Sequence, residues 1–413
     1  MAEEAEGQGE GVARVLVDTG LVHLDRPFEY RVPEELAAEA VPGARVKVRF
    51  AGQDLSGFVL ERTSTAEHDG RLTPLRSVVS PEPVLTDEIH QTAVRLAHQQ
   101  AGTVMDVLRL AVPPRHATAE RALTERPPEQ LEALASPAEL PPSWSRYRAG
   151  RALWSRVAAG ESPRAALLTT PAVDPTLDWP RALADAALAA LGSGRGTVIV
   201  VPDRRDLDRV DAALGEALGA DRHVVLHADQ GPQARYTAWL SVLRGHVQVV
   251  VGTRAAAFAP VRDLGLLAWW DDGDDLHLEP RAPYHHVRDV LLTRAELLQR
   301  CIGGHQLHHR RRVHRHLGAV RQARAGLAGG LRVHHHHRQG QTLVGDTGGE
   351  AVHGREIEVH QHAVLAGVRP RHDDGQHGDI EHREQLHRSL LVDPHSVTGL
   401  DGGDRLEVIG EVS

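Results

Sequence analysis

The sequence predicts a multidomain α/β chain in three parts: a small N-terminal β-rich domain, a parallel α/β lobe, and a C-terminal tail largely disordered. Three observations carry this reading. Before residue 80, short strand-like runs are separated by Pro, Gly and Asp turns. Between about residues 165 and 270, continuous apolar runs alternate with helical stretches, the pattern of a sheet covered on both faces. From residue 299 onward there is not one Phe, Trp or Tyr, which leaves little from which to build a core.

Residues 1–11, acidic and Gly-rich, are expected to be disordered. Strand-like runs follow at residues 12–18, 45–50, 57–62 and 75–79, consistent with a small barrel or sheet. Asp87–Gln100 reads as one amphipathic helix: Ile89, Ala93, Val94, Leu96 and Ala97 make a stripe of 3.6-residue period behind a Thr86 cap. Residues 12–112 are assigned to this first domain. The region 113–154 is assigned as a linker: from Pro113 to about Pro142 it is rich in Pro, Glu and Ala with a weak pattern, and a new unit begins near Ser143. Within 155–298, strands are expected at 165–170, 197–201, 223–226, 247–251 and 264–270. Helices are expected between them near 180–191, 207–218 and 233–244.

Composition narrows the function classes. A net charge of −9 argues against nonspecific coating of nucleic acid, whose affinity comes from many cation–phosphate contacts, so any DNA binding should be local. The acidic start is no secretory signal, and no run of about 18 apolar residues follows, so a soluble cytoplasmic protein with no membrane partner is expected. One cysteine, Cys301, supports neither an intrachain disulfide nor a cysteine-based metal site, and no metal ligands are assigned. The only lysine, Lys47, lies in PGARVKVRF, so the lysine-bearing Gly-x-x-x-x-Gly-Lys-Ser/Thr phosphate loop has no place to form. One lysine against 46 arginines points to a GC-rich coding sequence.

The tail, 299–413, holds 17 of the 28 histidines, including His334–His337. A histidine-rich metal-binding segment is one reading, but no ligand spacing repeats. A shifted or misjoined reading frame is the preferred one, since such translation of GC-rich DNA turns Val and Ala codons into His, Arg and Gly.

Two groups of motifs remain. VARVLVDTGLVHLDRPFEYRVPEEL is followed in order by PGARVKVRF, PEPVLTDEI and AGTVMDVLRLAVPP; farther on come VVLHADQGPQARYTAWLSVLRG, VVVGTRAAAFAP, WWDDGDD and EPRAPYHHVRDVLLTRAELL. Together, over about residues 12–298, they resemble the primosomal protein N′ family of replication-restart helicases, often called PriA. The resemblance implies that the first domain holds the 3′ end of a nascent strand at a stalled fork. Phe28 and Glu29 fall on the family's aromatic–acid pair, where a ring can stack on the last base and a carboxylate can accept from a free 3′-hydroxyl. Arg76 falls on its basic position, and Ala51 or Gly52 on its turn glycine. Without the resemblance, Phe28 would read as a core aromatic beside a turn at Pro27.

The second group resembles helicase lobe 1, a RecA-like fold, at His227, Arg235 and Trp239 and at Gly252, Thr253, Arg254, Phe258 and Pro260. Gly252 would let the backbone turn sharply so that Thr253 and Arg254 face a strand phosphate. Asp271 and Asp272 stand where the family's acidic box orients magnesium and activates water, here in a degenerate form with Gly273–Asp274 in place of Glu-His. TTPAVDPTLDWPRAL replaces the phosphate loop: Pro171 and Pro175 lack N–H donors and Asp174 would repel phosphate. The family's eight zinc-binding cysteines and second motor lobe have no counterpart, and its winged-helix region is reduced to 113–154. No cofactor is therefore expected, although the family uses ATP, Mg and Zn.

These expectations converge on a protein that binds forked or single-stranded DNA with a 3′ end, meets primosome proteins and the replicative helicase, and has little or no ATPase. The alternatives are an ATP-dependent 3′–5′ DNA helicase of the same family, or a truncated, frameshifted product without function.

Overall fold

The N-terminal sheet is built from strands β1 (Val12–Val17), β2 (Pro27–Arg31), β3 (Ala44–Phe50), β4 (Gln53–Thr63) and β5 (Leu75–Pro83). They lie in the order β2-β1-β4-β3-β5, every pair antiparallel. This computed structural model describes residues 11–127, 132–169, 172–300, 361–367 and 406–409, with backbone alone at 299–300 and in the last two segments. Alternation sets the faces. In β3, Ala44, Val46 and Val48 are buried while Arg45, Lys47 and Arg49 point away, and Lys47 donates to Ser56 at 2.8 Å. Val15, Tyr30, Val46, Val48 and Val59 form the sheet's own core. The β3–β4 hairpin turns on Ala51 and Gly52, both with positive φ (45° and 79°). That is the requirement of a two-residue turn matched to strand twist.

Helix α1 (Asp87–Gln100) begins where Thr86 accepts from the Ile89 N–H, and α2 (Val104–Ala111) begins with a reciprocal capping box between Thr103 and Asp106. Ile89, Ala93, Leu96 and Ala97 are buried as their spacing predicts, whereas Val94 is 38% exposed. The stretch read as a linker contains α3 (Ala117–Glu125) and α4 (Pro142–Ser145), followed by α5 (Gly150–Ala158). Only Ala119 and Leu123 of α3 are buried, too weak a stripe to stand out in sequence. Glu120 fixes the helix through Ser80, Arg115 and the Tyr236 hydroxyl.

Beyond lies the second sheet: β6 (Arg164–Thr169), α6 (Trp179–Gly192), β7 (Gly196–Val200), α7 (Arg204–Leu218), β8 (His223–Leu226), α8 (Pro232–Leu243), β9 (Val249–Gly252), β10 (Leu264–Trp270) and α9 (Val287–Arg300). β10, β7, β9 and β8 run parallel in that order. Consecutive residues serve opposite cores: Val198 and Val200 face α8 and the N-terminal helices, while Ile199 and Val201 face Trp179, Leu214 and Trp270. Two segments of the tail join this sheet. β11 (Gln361–Gly367) lies antiparallel between β6 and β10, and β12 (Leu406–Ile409) lies parallel to β6. The tail expected to lack a stable fold thus contributes two strands; its remainder, with Cys301 and His334–His337, lies outside the described residues, as do residues 1–10. No helix among the described residues is long and apolar enough to cross a membrane.

One core runs through both halves. Leu16, Phe58, Ile89, Leu96 and Leu108 from the front pack in the same cluster as Trp239, Phe258, Trp269 and Leu291 from the lobe. Polar ties reinforce the seam. Arg244 pairs with Glu82 at 2.7 Å. Arg294, fully buried, reaches Glu88 of α1 at 2.6 Å and donates to the carbonyls of Ala257 and Ala259.

Candidate nucleic-acid interface

A groove of about 730 Å³ opens at the edge of the N-terminal sheet, where, among the described residues, β2 has no further strand beside it. Phe28 comes from β2 and Phe50 from the end of β3; their rings meet edge to face, 4.8 Å between centroids and 65° between planes. The Arg26 guanidinium lies 4.7 Å from the centre of the Phe28 ring. Arg14, Arg49 and Arg71 complete a set of four cations, with Glu29, Glu67 and His68 alongside. Aromatic rings interleaved with arginines suit a nucleotide, since the base finds a stacking face and the phosphate a charge partner. Phe28 also packs against the sheet core, so both readings of this residue describe part of its surroundings.

Glu29 is held by the segment that joins β4 to β5. The N–H groups of Glu67 and His68 donate to it at 2.9 and 3.0 Å, and Arg14 approaches at 3.5 Å. These backbone donors, more than the guanidinium, hold its carboxyl below the usual carboxylate range. An ionised carboxylate has about four acceptor positions, and the two amides with Arg14 take up most of those on Glu29.

The remaining end-binding candidates are placed differently. Arg76, in β5, pairs with Asp54 at 3.0 Å and does not line the groove. Gly52 has open space where a Cβ would stand, and Ala51 lines the groove. Arg26, Arg49, Phe50 and Arg71 escaped sequence reasoning. The available signal was modest: Arg26 and Arg49 each lie within two residues of an aromatic residue.

In the lobe, β9 ends at Gly252 and a short 3₁₀ turn, Arg254–Phe258, begins after Thr253. Gly252 does not have a positive φ. Its requirement is close approach: an added Cβ would stand 1.9 Å from the Leu226 carbonyl oxygen. The Arg254 side chain, one third exposed, donates to the Leu276 carbonyl and lies 3.5 Å from Glu279. His285 packs edge-on against Phe258, and burial pushes its imidazole down to about 4, helped by Arg254.

At the end of β10, Asp271 has a left-handed backbone (φ 50°). Asp272 accepts from the Trp269 indole N–H at 2.7 Å and pairs with Arg288. Burial raises the carboxyl of Asp206, and the nearby Asp203 and Asp271 add to the effect. Facing them, the N-terminus of α6 is capped by Asp178, which also binds Arg209 at 2.5 Å. Trp179 stacks on Trp270 at 3.8 Å with the rings nearly parallel. Among the described residues, no group of three or more His, Cys, Asp or Glu is placed to hold a metal ion.

Residues 14–113 match the family described as a 3′DNA-binding domain. Over 286 residues, 68% of this chain, the sequence is 44% identical to the probable replication restart protein PriA of Mycobacterium tuberculosis (strain CDC 1551 / Oshkosh), covering 42% of that relative. It is 43% identical over 273 residues to the counterpart in Mycobacterium leprae, 66% of this chain and 41% of the relative. A match to the replication restart protein PriA of Synechocystis, 32% identical over 114 residues, covers 26% of this chain and 13% of that protein. The chain thus spans about two fifths of the length of its mycobacterial relatives.

Proposed function

From a chain that is a homologue of the replication restart protein PriA over 68% of its length, we propose a protein that binds stalled or abandoned DNA replication forks and helps reload the replicative helicase without hydrolysing ATP. It would act in the cytoplasm, alongside primosome proteins. One observation carries the reading: the domain that matches a 3′DNA-binding family presents a groove lined by Phe28 and Phe50, four arginines and Glu29. Phe28 and Phe50 would take the terminal base, and the arginines its phosphates. Glu29 would accept from the 3′-hydroxyl, which separates an end from a continuous strand. Arg76, Gly52, Thr253 and Arg254 would then shape or extend the contact; Gly252 would set the position of the last two by its close packing.

The absence of ATP turnover is proposed on the surroundings of the α6 N-terminus. A triphosphate there would meet the Asp178 carboxylate already on the helix end, and the neighbouring cation, Arg209, is committed to that carboxylate. Like charge at this position opposes phosphate binding. Asp271 and Asp272 are therefore assigned no catalytic step.

Fluorescence anisotropy on forks with a free or a blocked 3′ end tests the proposal. Phe28→Ala is expected to weaken binding to the free-ended fork by about 1–3 kcal/mol, the value of one base–aromatic stack, and to affect the blocked fork less. Equal losses on both forks would remove the groove assignment. Fork-stimulated ATP hydrolysis abolished by Asp271→Ala would replace this reading with that of an ATP-dependent helicase.

A further inference from the structure

The segment between β4 and β5 passes in front of the groove's acid, tied down at both ends. Arg31 N–H donates to the Thr73 carbonyl at 3.0 Å, and a parallel bridge joins Arg31 to Pro74. Toward the other end, the N–H groups of Glu67 and His68 donate to Glu29. The Glu67 side chain, 79% exposed, reaches back to Arg14, which also lies 3.5 Å from Glu29 and from Glu61; Glu67 is the closest of the three. A carboxylate on an arginine occupies the position that a phosphate oxygen would take. The backbone N–H donors on Glu29 likewise stand where a hydroxyl would donate.

We infer that this segment is an internal competitor for the DNA end, with Glu67 in the place of a phosphate on Arg14 and the amides of Glu67 and His68 in the place of the 3′-hydroxyl on Glu29. The inference rests on the proposed binding of 3′ ends in this groove. A strand entering the groove displaces Glu67 from Arg14, and its hydroxyl takes over from the amides. A blocked end can supply the phosphate but no donor for Glu29, so displacement of the segment is compensated only by a free end. Glu67 thereby sets the threshold for entry.

The test uses the full chain and a fork with a free 3′-hydroxyl. Glu67→Gln, an exposed change that keeps the backbone donors, is expected to tighten binding about two- to fivefold, the scale of an exposed ion pair. Its salt dependence should steepen by roughly one ion, since a displaced Glu67 no longer takes up a cation. Asp69→Asn removes the same charge from the same segment without touching Arg14; it should change affinity less. In hydrogen exchange, the amides of Glu67 and His68 should lose protection when the free-ended strand binds. Unchanged or weaker binding by Glu67→Gln, an equal gain from Asp69→Asn, or retained amide protection would each overturn the inference. Wild-type preference for the free end, lost in Phe28→Ala, would show that the groove reading survives such a failure; no preference in the wild type would remove both.

Discussion

Replacing Arg294 with Leu should destabilise the protein by roughly 3 kcal/mol, at the lower end of the loss seen when one partner of a buried ion pair is removed. Arg294 has no exposed surface and makes four contacts: Glu88 at 2.6 and 3.3 Å, and the carbonyls of Ala257 and Ala259 at 2.6 and 2.9 Å. Leucine recovers some apolar burial. It leaves the Ala257 carbonyl without this donor, at roughly 1–3 kcal/mol for a buried group left unsatisfied, while the Ala259 carbonyl keeps the Val261 N–H at 2.9 Å. Glu88, 18% exposed, can turn partly to water, which keeps the loss from the top of the range. Urea unfolding followed by tryptophan fluorescence measures the change. Glu88→Gln, which retains an acceptor, should lose less, and the two substitutions together should fall short of their sum by about 0.5–3 kcal/mol. A loss below about 1 kcal/mol for Arg294→Leu, or strict additivity, would refute the claim that this guanidinium fastens the 253–260 segment to α1.

Three further outcomes follow from packing, backbone and charge. Gly252→Ala should destabilise by about 1–3 kcal/mol, the usual penalty of overpacking, because the Leu226 carbonyl and Ala256 leave no room for a methyl group; an unchanged melting temperature would contradict this. Ala51→Gly should stabilise by roughly 1 kcal/mol by relieving a left-handed alanine, and denaturant titration would register a loss if the side chain mattered more than the strain. His285, lowered to about 4 against an ordinary value near 6.5, stays neutral in the folded state while the unfolded chain takes up a proton. Stability should therefore be intact above about pH 6.5 and decline by roughly 3 kcal/mol as pH falls toward 4. His285→Gln should flatten that decline, and an unaltered pH profile would exclude His285 as its source.

Much of the architecture was legible because burial writes a period into the chain. The helix behind Thr86 and the strand at 264–270 were read with the bounds they have, since each carries a continuous apolar stripe or run. β2 was not recognised as a strand: three of its five residues are Pro, Glu and Arg, and only Tyr30 is fully buried. The first residues of β4 pair because the Ala51–Gly52 turn brings them back along β3, not because they are apolar. At the groove, Phe28 and Glu29 were accessible through the family resemblance, but their neighbours were not. Glu29 meets the amides of residues 38 and 39 positions away, and Phe50 is delivered by a separate hairpin. No local spacing encodes such meetings.

The continuous core has a practical meaning for anyone dividing this protein. The matched family ends at residue 113, yet Ile89, Leu96 and Leu108, all buried, lie in one cluster with Trp239, Phe258 and Leu291. A fragment cut at that border would present these side chains to water, each worth about 1.5–3 kcal/mol when covered, and would have lost the Arg294 partner of Glu88. The border drawn by ancestry is therefore not a seam along which the molecule can be parted, and the groove should be produced and assayed together with the lobe that supports it.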